Sequence, residues 1–217
     1  MPKMLAITTP KGSAMYPFLK EPVTYSQAEK KQLPDPDGSY LVDLVLSNEE
    51  AEGVLGKIDR ALEDSFKRAK EDRKGAKKKP EKADAPYQEM DDDQGNPTGK
   101  VKIRFKLKGK GKNNTTGKTW EQRPAIFNCK GIPYPAGTDI WGGSTIKVAF
   151  EPWPYFMNST NKAGVTLRLK AVQVIDLVTG GEKTADQFGF GEEEGTANTI
   201  PEEPQEEVMM LEGNEDF

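Results

Sequence analysis

Residues 100–108 read Lys-Val-Lys-Ile-Arg-Phe-Lys-Leu-Lys. Side chains along a strand alternate between faces, so this run puts Lys100, Lys102, Arg104, Lys106 and Lys108 on one side. Val101, Ile103, Phe105 and Leu107 take the other. Like charges stacked along one strand need counter-charges: solvent ions, acidic neighbours or a polyanion. Cations recur at outward positions of other strands, at Lys147, Arg168 and Lys170, and aromatic residues stand near strand ends, at Trp120, Trp141, Trp153, Tyr155 and Phe156. Cations with interleaved rings are what a single-stranded nucleic acid requires. Phosphates bind cations with steep salt dependence, and bases stack on rings with little sequence preference. The same residues would also serve a basic face that docks an acidic protein. Trp120 and Trp141 are expected in the core.

Other chemistry is excluded by what the chain lacks. It has no histidine, so Ser-His-Asp and Cys-His catalysis, imidazole bases and histidine metal sites are out. A single cysteine, Cys129, rules out an intrachain disulfide and a cysteine-only zinc site, and a small buried apolar role is expected for it. Gly117-Lys118-Thr119 imitates the end of a P-loop. The first glycine of that motif would fall on Lys112, however, and Trp120 and Pro124 follow in strand-like rather than helical sequence. Asp91-Asp92-Asp93 reads as a solvated turn, without the spacing of a calcium loop. Neither Glu49-Glu50 nor Glu192–Glu194 forms an acid–base pair. The expectation is a protein that is not an enzyme and holds no cofactor or metal. No apolar run approaches the roughly 18 residues of a membrane span, and Met4–Ile7 is too short for a signal-peptide core.

The formal net charge of −4 conceals an asymmetry. Residues 184–217 contain eleven acids and no base, which leaves 31 bases against 24 acids in residues 1–183, a net of +7. A basic body therefore carries an acidic tail, and the body suits a polyanion. A tethered tail would compete for a basic groove at an effective concentration on the order of millimolar. It would also present a charged peptide, ending in Asp216-Phe217, to a basic pocket on another protein.

These side chains need a frame. Residues 39–47 alternate as a strand, with Tyr40, Val42, Leu44 and Leu46 on one face and Asp43 on the other. A helix is expected over about 48–72. Ser47 and Glu50 have capping-box spacing, and Val54, Leu55, Ile58, Leu62 and Phe66 form an apolar stripe. Residues 73–99 are expected as a mobile loop, with the Lys77–Lys79 run inside it. Further strands are expected over 100–108, about 119–128 with Pro124 at an edge or bulge, 144–150 and 164–178. In the last strand the apolar phase shifts near Ala171-Val172, as a bulge would make it. Small closed barrels need such bends. The fold class is all-β with one helix, about five strands in the body (1–183), followed by a disordered acidic tail (184–217).

In their order along the chain, several of these segments resemble a known family. Gly38-Ser-Tyr-Leu-Val-Asp-Leu, Trp141-Gly-Gly-Ser-Thr-Ile-Lys-Val-Ala-Phe, Trp153-Pro-Tyr, Asn158, Gly164-Val-Thr-Leu-Arg-Leu, Val172-Gln-Val and the acidic tail ending Asp216-Phe217 are similar to the single-stranded DNA-binding proteins of phage replication systems, of the short-tailed coliphage type. The resemblance implies a five-stranded OB-fold barrel decorated by one helix. It implies sequence-tolerant binding of single-stranded DNA in replication, recombination and repair, in the cytoplasm of an infected bacterial host. It implies a homodimer whose tail covers the DNA cleft when DNA is absent. Through Glu212, Glu215, Asp216 and Phe217 that tail would dock on the phage DNA polymerase and helicase-primase. By the same resemblance Lys3, Lys102, Arg104, Lys106, Lys147 and Tyr155 take up DNA. The residues add Lys100, Arg168 and Lys170 for phosphates and Trp153 or Phe156 for stacking. Two positions depart from the family: Met157 stands where it has tryptophan, and Asp37 where it has a base. The alternative is an interaction module of a recombination complex whose basic face docks an acidic partner.

Overall fold

The structure is a computed structural model and describes residues 6–113, 115–135 and 137–178. In chain order the elements are β1 (Ile7–Thr8), β2 (Gly12–Ser26), β3 (Lys31–Pro34), β4 (Ser39–Ser47) and α1 (Asn48–Asp72). There follow β5 (Glu81–Lys82), β6 (Tyr87–Asp91), β7 (Pro97–Lys108), β8 (Lys110–Lys112) and β9 (Thr119–Glu121). The last are β10 (Ala125–Phe127), β11 (Thr145–Met157) and β12 (Lys162–Asp176).

Five long strands pair in the order β2-β4-β7-β12-β11, and β11 returns to β2, which closes a barrel. Numbered by chain order among the five, this is 1-2-3-5-4-1, the OB-fold arrangement. Alternation fills the interior: Val42, Leu44 and Leu46 of β4, Ile103 and Phe105 of β7, Ile146, Val148 and Phe150 of β11, and Leu167 and Leu169 of β12 are all buried. The Phe105 and Phe150 rings meet at 5.0 Å. Burying side chains of this size contributes roughly 1.5–3 kcal/mol each against conformational entropy.

The helix begins where the sequence placed it. Ser47 and Glu50 form the reciprocal capping box. Val54, Ile58 and Leu62 close one end of the barrel, joined by Ala51 and by Ser65, whose hydroxyl donates to the Gly164 carbonyl at 2.8 Å. Gly53 and Gly56 face open space.

The bulge of the last strand also appears. Between Ala149 and Phe150 the β11–β12 register jumps from Ala171 to Leu169, which leaves Lys170 unpaired. Upstream of Lys170 the odd residues of β12 face inward; beyond it Val172 and Val174 do.

Several expectations are corrected. Residues 73–99 are not one loop: β5, β6 and the start of β7 lie within them. The strand expected over 119–128 is two short pieces, β9 against β8 and β10 against β12, parted by Gln122–Pro124. Trp141 is exposed rather than core, and so is Trp120, whose ring lies on the Gly111 backbone instead of inside the barrel. Cys129 is exposed, because the Asn128–Gly131 turn carries it outward. The strand at 144–150 runs on through two prolines to Met157.

Candidate nucleic-acid interface

The outward face of β7 is the frame of the site. β4 flanks it on one side, in register from Ser39–Lys108 to Ser47–Lys100. On its other side lie β6, opposite Lys100 to Ile103, and β12, whose Arg168 stands opposite Lys106. Lys102, Arg104 and Lys106 line one groove of about 350 Å³ together with Tyr155 and Thr166. The segment Asp84–Gln88 forms its far wall.

Tyr155 reaches this groove because residue 164, its partner across the β11–β12 ladder, is glycine. The ring lies on the Gly164 backbone so closely that a Cβ there would sit 2.4 Å from ring atoms. An aromatic side chain laid over a strand glycine is fixed in direction and shows its free face to the groove.

The cations are not equivalent. Arg104 is held by Asp43, directly opposite on β4: Nε donates to Oδ1 at 2.8 Å and Nη2 to Oδ2 at 2.7 Å. Asp43 is only 2% exposed beneath it. The hydrogen bonds to Asp43 hold the Arg104 guanidinium further toward its charged form. Lys170 pairs with Glu151 at 3.5 Å. The Arg168 guanidinium stacks 4.0 Å over the Trp153 ring, a cation–π contact that occupies one face of the indole. Among the described residues, Lys100, Lys102, Lys106 and Lys147 have no ion-pair partner.

The structure thus brings Lys102, Arg104, Lys106 and Tyr155 into one groove, with Arg168 and Trp153 beside them. Lys100 opens instead toward Met15, Tyr16 and Met90. Lys147 is eight residues from Tyr155 along β11, about 26 Å at the rise of a strand, and faces Gln173. Phe156 points to the opposite side of β11, where Arg73 stacks 3.8 Å over its ring and reaches Asn158 at 2.7 Å. Asp37 turns to Lys110 at 3.6 Å, and its carbonyl accepts from Lys108. Lys3 and the tail residues Glu212, Glu215, Asp216 and Phe217 lie outside the described residues.

Two wall residues, Tyr87 and Gln88, were not singled out in the sequence, nor was Asp43 as the partner of Arg104. Tyr87 donates to Asp59 of α1 at 2.9 Å, and burial, with that bond, raises its pKa. Gln88 stands beside Lys102. Asp43 was read only as an outward polar position, since nothing in its own strand names the arginine opposite.

A closed five-stranded barrel with cations and a fixed aromatic ring on one outer face belongs to the OB-fold class of binding proteins. The chain matches the family model "Single-stranded DNA-binding protein, Bacteriophage T7" over residues 13–177, and it belongs to that family. The family is one of binding proteins, not enzymes. The chain is 26% identical over 185 residues to the single-stranded DNA-binding protein of Enterobacteria phage T3, covering 83% of this chain and 79% of that protein. It is 26% identical over 178 residues to that of Escherichia phage T7, covering 77% and 74%. Among solved structures, gp2.5 of bacteriophage T7, a single-stranded DNA-binding protein, shares the fold with a TM-score of 0.66 at 24% identity, over 90% of this chain and all of that one. The single-stranded DNA-binding protein of bacteriophage Enc34, in complex with single-stranded DNA, does so with a TM-score of 0.52 at 15% identity, over 82% and 98%.

Proposed function

We propose that this chain binds single-stranded DNA, with little sequence preference, in the DNA replication of a phage. The observation that carries the reading is the groove in which Lys102 and Lys106, free of ion pairs among the described residues, stand beside the Tyr155 ring. Cations take phosphates and the ring takes a base, and neither reads sequence. Family membership and the Enc34 complex support the same ligand. Roles in recombination and repair extend this reading, since both pass through single strands. So do a homodimer and residence in the cytoplasm of the infected host.

The tail belongs to the proposal as a competitor and a recruiter. Its eleven acids are opposite in charge to the cations of the groove, and the Asp216-Phe217 end offers a peptide to the phage DNA polymerase and helicase-primase. Fluorescence polarisation of a labelled oligo(dT) across a salt series tests the whole. Tight, salt-steep binding that strengthens when residues 184–217 are removed is the expected result. No binding at low salt by either form would overturn it in favour of a basic face that docks an acidic protein partner.

A further inference from the structure

A second groove of about 440 Å³ lies across Arg104 from the first. Tyr16, Phe18 and Tyr25 of β2 line it, with Lys30, Lys31 and Leu41. Arg104 is a wall of both grooves. We propose that this groove is a second subsite for single-stranded DNA, with Tyr16 and Tyr25 stacking bases and Lys30 and Lys31 holding phosphates. The strand would then cross the sheet transversely, over β12, β7, β4, β2 and β3 in turn. The proposal rests on the reading above.

Three observations converge on the groove. Its tyrosines are exposed, Tyr16 by 60% and Tyr25 by 48%. Large rings left in water beside cations are the stacking platform that single strands use.

The second observation is backbone strain. Among the described residues, three that are not glycine have positive φ: Tyr16 at 50°, Lys30 at 53° and Asn161 at 57°. Asparagine tolerates that region; tyrosine and lysine rarely enter it. Both of the costly residues line this one groove. Tyr16 also precedes Pro17, a position ordinarily confined to extended conformations. Strain of this kind persists where the surroundings over-determine it, and it gathers at binding sites.

The third is register. The β2–β4 ladder is broken between Met15 and Phe18, so that Tyr16 falls in an irregularity that re-aims its side chain. Lys30 closes the turn between β2 and β3, where glycine or asparagine would cost nothing. Lys31 is held at 2.7 Å by Glu29, whereas Lys30 has no ion-pair partner among the described residues.

The test uses the strain itself. In the full chain, Tyr16→Gly and Lys30→Gly each remove a binding group and relieve a positive φ. The melting temperature is expected to hold or rise. Affinity for labelled oligo(dT) should fall about 5-fold or more for Tyr16→Gly, the low end of a base–aromatic stack. Lys30→Gly should flatten the slope of log affinity against log salt by about 0.7, one phosphate contact on a single strand. Lys106→Ala, in the first groove, serves as the reference. If Lys106→Ala weakens binding while both glycine variants bind like the parent, the second subsite is overturned and the first stands. A lower melting temperature for the glycine variants would make these residues structural, which also overturns it. If the parent binds no oligonucleotide, both grooves lose their ligand.

Discussion

Asp43 and Arg104 face each other across the β4–β7 ladder, the carboxylate buried and the guanidinium exposed above it, joined by two bonds of 2.8 and 2.7 Å. The pair stands where the two grooves meet, so the central cation of the basic strand is neutralised from below. Asp43→Asn keeps the shape and removes the charge. It should raise affinity for oligo(dT) and steepen the salt slope by about 0.7 as Arg104 becomes free for a phosphate. It should also cost about 1–3 kcal/mol of stability through the lost charge-assisted bonds. Equilibrium binding and urea unfolding of one preparation check both directions.

Lys102 and Lys106 form the cleaner test of the first groove. Reversal of charge at Arg104 would set a second acid against buried Asp43 and confuse folding with binding. Lys102→Ala with Lys106→Ala should leave the melting temperature within about 2 °C, because Lys106 is exposed, Lys102 is half-buried without an ion-pair partner among the described residues, and such surface substitutions seldom move stability far. The salt slope should fall by about 1.4, two phosphate contacts on a single strand. An unchanged slope would remove these lysines from the interface.

Gly164 permits the placement of Tyr155. A methyl at residue 164 would meet the ring at 2.4 Å, so Gly164→Ala must push it off the groove. Binding should weaken by about 1–3 kcal/mol, as for Tyr155→Ala. The double variant should be little worse than either, because both remove one interaction. Additive losses in that cycle would show that the glycine acts by another route.

The capping box gives a pH dependence of known sign. The Ser47 hydroxyl and amide donate to Glu50 at 2.8 and 3.3 Å, and these bonds lower the Glu50 pKa below its ordinary 4.5. The folded state therefore binds this proton less readily than the unfolded chain. Its stabilisation is complete above pH 4.5 and is lost as pH falls through the depressed folded value. The gap in melting temperature between parent and Glu50→Gln should narrow from about pH 6 to about pH 3. A constant gap would contradict the assignment.

Legibility in the sequence followed periodicity. β4, α1 and the core of β7 could be read because one face of each is buried and the other solvated, which writes a clean period of two or 3.6. The bulge at Lys170 was legible for the same reason, as a change of phase. The first 38 residues were not. β2 contains Pro17 and Pro22 and two register breaks, so its apolar residues keep no fixed period. Tyr16, Tyr25 and Lys30 therefore gave no sequence signal; the backbone angles reveal Tyr16 and Lys30, and exposure beside the groove reveals Tyr25. Pro152 and Pro154 hid the second half of β11. β1 pairs only with Ala149 and Phe150, so past Phe150 that edge of the strand is open and a missing N–H costs little. Trp120 and Trp141 misled because ring size argues for burial, while Trp120 sits on the small β8–β9 hairpin and Trp141 just ahead of a turn, both outside the barrel. Phe156 was assigned by proximity to Tyr155, yet adjacent residues of a strand face opposite ways.

The barrel is closed unevenly. β4 and β7 share nine residue pairs, whereas β2 and β11 meet in only two, Ser13–Thr145 and Gly12–Ile146. At Gly12 even a methyl would sit 2.5 Å from the Val45 carbonyl oxygen of β4, so a side chain there would push β2 off β4 beside this joint. β7 and β12 meet in a single pair, Lys106–Arg168, so the ring resembles a bracelet with two clasps: thermal motion undoes it at such places first, while the long ladders stay linked. Amide exchange should accordingly run faster at Ser13 and Ala14 than along β4 and β7. Tyr16 follows the β2–β11 clasp by three residues, so one wall of the second groove lies beside a joint expected to open early. A ligand lying across both grooves would bridge the β7–β12 joint, from Arg168 to Lys106, and oligo(dT) should slow exchange there more than anywhere in β4.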